Sequence, residues 1–134
     1  MKILIAEDDL ISRMLIKAFM STYGRCDVVV DGVEAVELFL LAHKEGEPYK
    51  LICLDIMMPR MDGVAALKTI RGIEKQKGVQ ENEWAKIIMT TALNDKETVS
   101  ATYELGCDAY AWKPLNLEKL KEVIEKLGFI KEDI

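Results

Sequence analysis

Glu7-Asp8-Asp9, Asp55, Thr91 and Lys113 are the side chains of this 134-residue chain whose types and spacing could do chemistry together. Each stands at or just after a short apolar run: Lys2 to Ala6, Leu51 to Leu54, Lys86 to Met89 and Ala109 to Trp112. Taken singly they are ordinary, an acidic turn, a strand-end Asp and a solvated Lys. Taken together they describe a site. Carboxylates crowded together raise one another's pKa, and burying them is costly unless a cation neutralises them. Oxygen ligands without His or Cys favour Mg²⁺, which takes only one or two protein carboxylates and leaves coordination positions for phosphate oxygens. Asp55 is then placed to act as a nucleophile toward phosphorus, which makes it the expected phosphoacceptor. Lys113 offers a point charge to a phosphoryl oxygen, and the Thr91 hydroxyl offers a donor to another.

For these residues to meet, the apolar runs must be strands of one sheet. Their near-continuous hydrophobicity suits parallel strands covered on both faces. Val28-Val29-Val30 and Ala109-Tyr110-Ala111-Trp112 are expected as outer strands. Between the strands, apolar residues recur at helical spacing: Ile11, Met14, Leu15, Ala18 and Phe19; Val33, Val36, Phe39 and Leu40; Ala66, Leu67, Ile70 and Ile73. Thr98, Val99, Thr102 and Leu105 make a weaker fourth helix with Asn94 as its cap and Glu97 three residues on. Leu117, Leu120, Val123, Ile124 and Leu127 share one face of a fifth, opened by Asn116 and stopped by Gly128. A β-α unit repeated five times gives a doubly wound α/β sandwich with right-handed crossovers, and ligands of such sheets bind at the carboxyl ends of the strands. Residues 76–85 are expected as a loop.

Composition narrows the function. Half the residues are hydrophobic, 31% are charged and Gly and Pro are few, so a single globular domain over residues 1–134 is expected. The net charge of -5 supplies no reason to bind phosphate backbones or anionic lipid. With no apolar run long enough for a membrane helix and no signal peptide core, the expectation is a cytoplasmic protein that touches neither nucleic acid nor membrane. Cys26, Cys53 and Cys107 form no metal-binding pattern and are expected as reduced, mostly buried thiols. His43, the lone histidine, falls at a helix edge.

Glu7-Asp8-Asp9, the block Leu54-Asp55-Ile56-Met57-Met58-Pro59-Arg60-Met61-Asp62-Gly63, Met89-Thr90-Thr91-Ala92 and Tyr110-Ala111-Trp112-Lys113-Pro114 resemble the receiver domain of two-component response regulators over nearly the whole chain. The resemblance implies a flavodoxin-like sheet of order 2-1-3-4-5 with five helices. It also implies that Asp55 takes its phosphoryl group from a sensor histidine kinase, a histidine phosphotransfer protein or a small phosphodonor. The implied Mg²⁺, or Mn²⁺ in its place, is held by Asp8, Asp55 and the Met57 carbonyl, with Glu7 acting largely through water. Asp9 belongs to the start of the first helix instead, where negative charge suits the dipole. Tyr110 matches the switch aromatic that turns inward as Thr91 moves toward the phosphoryl group. The implied output face is the fourth helix, fifth strand and fifth helix, with Tyr103, Tyr110, Trp112 and Lys119 as contacts for an unnamed protein target. A cis Lys113-Pro114 bond is implied as well.

On this resemblance the chain is a phosphoacceptor that assists its own phosphorylation and dephosphorylation, not a turnover enzyme. Leu115 stands where an aromatic often follows Lys-Pro, and the last helix lacks the Arg-rich pattern of receivers joined to winged-helix domains, so a stand-alone receiver is expected. A phosphorelay intermediate, or a receiver cut from a hybrid kinase or larger regulator, is the alternative within the class. A haloacid dehalogenase-type phosphatase would need an acid at Met57, and a flavodoxin-like electron carrier would need a phosphate cradle where Glu7-Asp8-Asp9 stand. Apolar Met57 and Leu93, each two residues past Asp55 and Thr91, cannot hydrogen-bond an attacking water, so a long-lived phosphorylated form is expected.

Overall fold

Five parallel strands lie in the order β2-β1-β3-β4-β5. The computed structural model describes residues 1–92 and 96–131. In chain order the elements are β1 (Lys2–Ala6), α1 (Leu10–Met20), β2 (Arg25–Val29), α2 (Gly32–Lys44), β3 (Leu51–Asp55), α3 (Gly63–Gln76), a 3-10 turn at Glu81–Glu83, β4 (Lys86–Thr91), α4 (Lys96–Leu105), β5 (Ala109–Trp112) and α5 (Leu117–Lys126). The expected doubly wound sheet is therefore the fold. Asn94, the expected cap of α4, and Leu93 fall outside the described residues.

Strand side chains alternate between faces, and the core divides accordingly. Ile3, Ile5, Leu51, Cys53 and Ile88 pack with Ile16 and Met20 of α1 and with Leu120 and Ile124 of α5. Leu4, Ile52, Leu54, Ile87 and Met89 pack on the opposite side with Phe39 of α2, Leu67 and Ile70 of α3, and the half-buried Val99 and Leu105 of α4. Every residue of β3 is buried, as a central strand covered on both faces requires.

Some sequence expectations are corrected. β2 begins at Arg25, not at Val28, because the ladder with β1 runs from Lys2↔Arg25 to Ala6↔Val29 and an edge strand tolerates polar residues. Val30 lies past it. Asp55 and Thr91 are the last residues of their strands instead of the first beyond them. Residues 76–85 are not a plain loop, since α3 reaches Gln76 and the 3-10 turn follows. Leu117 opens α5 exposed. His43 is half-buried and meets the Phe39 ring edge-on at 4.7 Å. Cys53 and Cys107 are buried free thiols, while Cys26 is only half-covered.

The largest correction concerns α1. Ile11 (70% exposed), Met14 (62%) and Leu15 (47%) face solvent, together with Leu10. Ala18 is exposed too. Of the expected stripe only Phe19 turns inward, and Ile16 and Met20 supply the buried contacts. The rotation docks Ile16, Met20 and Phe19 on the sheet, and in that orientation Arg13 Nη1 donates to the carbonyls of Glu7 (3.0 Å) and Asp8 (3.3 Å). Ser12 and Arg13 are half-buried as a result, and Leu10, Ile11 and Met14 stay outside.

Candidate functional site

Odd-numbered residues of β1 and β3 face the α1 and α5 side, and the same alternation carried one step further places Glu7, Asp55 and Lys113 at the strand ends on one side of the sheet. There they converge. Lys113 Nζ lies 2.7 Å from Glu7 Oε1 and 3.0 Å from Asp55 Oδ2. Glu7 and Asp55 are almost wholly buried, while Asp8 is exposed beside them. Glu7, Asp8 and Asp55 each offer a carboxylate oxygen within 4.8 Å of the others.

The electrostatics follow from crowding. Burial, and next a hydrogen bond shared with Asp55, raise the Glu7 carboxyl above the ordinary range. Burial alone would lower Lys113, but its hydrogen bonds to Glu7 and Asp55 push its pKa up and hold it charged. Among the described residues, one ammonium faces three carboxylates, which leaves the cluster short of positive charge. An all-oxygen set of this kind fits a hard divalent cation such as Mg²⁺.

Local bonds set each piece. Asp9 caps α1, its Oδ2 accepting from Ser12 N–H at 2.9 Å, so it is committed to the helix as expected, and that bond lowers its pKa. Glu7 Oε2 accepts the Asp9 N–H at 3.1 Å. Past β3, Met57 N–H donates to Asp55 Oδ1 at 3.3 Å, and the Met57 side chain is 62% exposed. Asp62 caps α3 through Ala65 N–H at 2.8 Å. The Lys113-Pro114 peptide is cis.

Thr91 is buried at the end of β4 on the α3 and α4 side of the sheet, and Lys113 N–H donates to its carbonyl at 2.8 Å. Tyr110 lies on that same side. Its ring is buried, with Tyr103 at 5.5 Å and Trp112 at 5.6 Å between centroids. Tyr103, Trp112 and Lys119 are exposed. Between β5 and α5 runs a cleft of about 300 Å³ lined by Tyr110, Trp112, Leu115, Lys119, Leu120 and Val123 among others.

Sequence reasoning missed two arginines. Arg13 brackets the acidic loop as described, and its position one turn into α1 was the only signal. Arg60, at φ 64, reaches Asp31 Oδ2 at 3.1 Å and ties the loop after β3 to the start of α2. No pattern in the sequence pairs residues so far apart.

The fold and this rim define a doubly wound domain with an acidic, lysine-bridged site at its strand ends. The model of the response regulator receiver domain matches residues 3–125. Chemotaxis protein CheY of Bacillus subtilis is 34% identical over 128 residues, covering 93% of this chain and 95% of that protein. A probable C4-dicarboxylate response regulator of the same organism, DctR, is 33% identical over 136 residues, covering 99% of this chain but only 54% of its own length. Among solved structures, a CheX-CheY-BeF3-Mg²⁺ complex from Borrelia burgdorferi aligns with TM-score 0.80 and 25% identity over 94% of this chain and 87% of that one. The Saccharomyces cerevisiae receiver domain of Ssk1, crystallised with the histidine phosphotransfer protein Ypd1, aligns with TM-score 0.78 and 30% identity over 93% and 87%. The chain belongs to the response regulator receiver family, the signalling modules of two-component systems, and is CheY-like in kind. Among the described residues no helix is long and apolar enough to cross a membrane.

Proposed function

We propose that this chain is a phosphorylation-activated switch in which Asp55 accepts a phosphoryl group and the α4-β5-α5 face passes the signal on. The observation that carries the proposal is Lys113 bridging Glu7 and Asp55 beside Asp8 at the strand ends. An Asp55 carboxylate oxygen attacks phosphorus, a new O–P bond forms, and the P–N bond of a phosphohistidine or the P–O bond of an acyl phosphate breaks. The electron pair leaves with the imidazole, which takes up a proton, or with the departing carboxylate. Lys113, held charged, pairs with a phosphoryl oxygen, and the Thr91 hydroxyl turns to another. Tyr110, already buried on the α4 side, is the aromatic whose packing that turn changes.

Asp8, Asp55 and the Met57 carbonyl are the groups that would hold Mg²⁺, with Glu7 acting through water; Mn²⁺ suits the same oxygens. When bound, the cation offsets the charge of the carboxylates and of the incoming phosphoryl group. The chain itself acts as a phosphoacceptor rather than a turnover enzyme.

A histidine kinase or a histidine phosphotransfer protein is the proposed donor. A protein bringing phosphohistidine down onto Asp55 must cover the rim, where exposed Leu10, Ile11, Met14 and Met57 give it apolar surface to bury. Downstream, a protein target is proposed for Tyr103, Trp112 and Lys119. The test is intact-mass spectrometry after incubation with a small acyl phosphate, with and without Mg²⁺, on the wild type and Asp55→Asn. A Mg²⁺-dependent gain of one phosphoryl group confined to the wild type is expected, and no gain in the wild type overturns the reading.

A further inference from the structure

The Tyr110 hydroxyl is hydrogen-bonded to Thr102 Oγ1, a fully buried side chain of α4. Thr102 Oγ1 also lies 2.9 Å from the Val99 carbonyl and 3.0 Å from the Thr98 carbonyl. A hydroxyl has one proton, and a carbonyl can only accept. The Thr102 proton therefore goes to the helix carbonyls, and only its lone pairs remain for Tyr110. Tyr110 is the donor, with its polar atom satisfied inside the fold.

The residue holding Tyr110 stands on a fixed part of α4. Arg71 of α3 donates from Nε to the Gly106 carbonyl at 2.8 Å and from Nη2 to Asp108 Oδ2 at 2.9 Å, and so clamps the turn that ends α4. Asp108 Oδ2 also accepts the Ile87 N–H of β4 at 2.8 Å. Thr102 lies about one helical turn from that clamp, at the opposite end of α4 from Thr91 and the rim. Tyr110 in turn supports the exposed rings of Tyr103 and Trp112, each 46% exposed.

We propose that Thr102 is a positioning residue that latches Tyr110 inward in the unphosphorylated chain. The aromatic side of the α4 and β5 face is thereby ordered in advance, so that phosphorylation of Asp55 acts on a face whose Tyr103 and Trp112 rings already have their support. The inference rests on Tyr110 being the switch aromatic. It adds that the ring's position in the unphosphorylated chain is set from α4 by the Thr102 hydroxyl.

The test uses the full chain labelled with 5-fluorotryptophan, with the Trp112 resonance assigned by Trp112→Phe. Thr102→Val keeps the shape and removes the acceptor, Thr102→Ser keeps the hydroxyl, and Tyr110→Phe removes the donor without touching α4. In the free proteins, the valine variant should show a Trp112 resonance displaced or broadened relative to wild type, the serine variant should restore it, and Tyr110→Phe should also displace it. Beryllofluoride with Mg²⁺ should then move the valine variant's resonance farther than the wild type's. A free valine variant coinciding with wild type, a serine variant that behaves like valine, or a wild type that moves as far as the valine variant overturns the latch. The comparison of free proteins needs no phosphoryl chemistry, so failure of the latch is distinguishable from failure of Asp55 to accept phosphate.

Discussion

Lys113 Nζ lies 3.0 Å from Asp55 Oδ2, joining residues 58 positions apart at the ends of β5 and β3. The same ammonium holds Glu7, so one cation serves two buried carboxylates. Lys113→Met keeps most of the stem and removes the charge. Phosphorylation of Asp55 by a small acyl phosphate should slow by about 10²- to 10³-fold, the usual loss for one oriented donor. Mg²⁺ should bind more tightly, because the ammonium no longer competes for the carboxylates. A fluorescence titration with Mg²⁺ beside a phosphorylation time course checks both, and unchanged Mg²⁺ affinity would show that the two cations do not compete.

Gly63 is where α3 starts against the end of β3. A Cβ there would stand 2.2 Å from the Asp55 carbonyl oxygen, and Gly63 N–H donates to the Ile56 carbonyl at 2.9 Å. Gly63→Ala should destabilise the fold by about 1–3 kcal/mol through backbone displacement and should slow phosphorylation as Asp55 shifts. Gly72, in the same helix, has nothing within 4 Å of the equivalent position. Gly72→Ala should stabilise by about 0.5–1 kcal/mol. Urea midpoints for the pair give opposite signs if the crowding at Gly63 is the cause.

Met57 presents an exposed thioether beside Asp55 and cannot orient a water. Met57→Asn supplies a polar group there, so the phosphorylated form should decay severalfold faster. The loss of phosphate from purified phosphoprotein, followed by intact mass, measures it. Equal decay rates would sink the argument that an apolar flank protects the acyl phosphate.

Arg71 is buried with Glu74, and their side chains are 2.6 Å apart. Glu74 Oε2 also accepts the Ala85 N–H at 2.9 Å. Arg71→Met leaves a buried carboxylate without its cation and should cost about 3–5 kcal/mol in chemical denaturation. Arg71→Lys should recover little of this, since a single ammonium cannot reach Glu74, Asp108 and the Gly106 carbonyl with the guanidinium's fixed fork.

Much of the site was legible in the residue order because parallel strands announce themselves as apolar runs and whatever ends them must lie on one rim. The strand-end positions of Glu7, Asp55, Thr91 and Lys113 were reached that way, and the folded chain joins Lys113 to Glu7 and Asp55. Arg13 and Arg60 were not, because their partners are two backbone carbonyls and a buried helix cap whose positions no local pattern encodes. Thr102 was assigned to the inner face of its helix, but its bond to Tyr110 joins two elements that only the folded chain brings together.

By itself the sequence determined the α/β alternation, the strand ends and the residue types at the rim, all consequences of local periodicity. The tertiary structure alone decided the rotation of α1 and the start of β2. A helix carrying Leu10, Ile11, Met14 and Leu15 on one side and Ile16 and Met20 on the other has two apolar faces to offer. Hydropathy does not rank them; the packing of Ile16 and Met20 against β1, β3 and α5 does, with Arg13 bonded to the carbonyls of Glu7 and Asp8 in that orientation. Likewise the edge strand begins where its pairing with β1 begins, at Arg25, because ladder hydrogen bonds are made by backbone groups whatever the polarity of the side chains they carry.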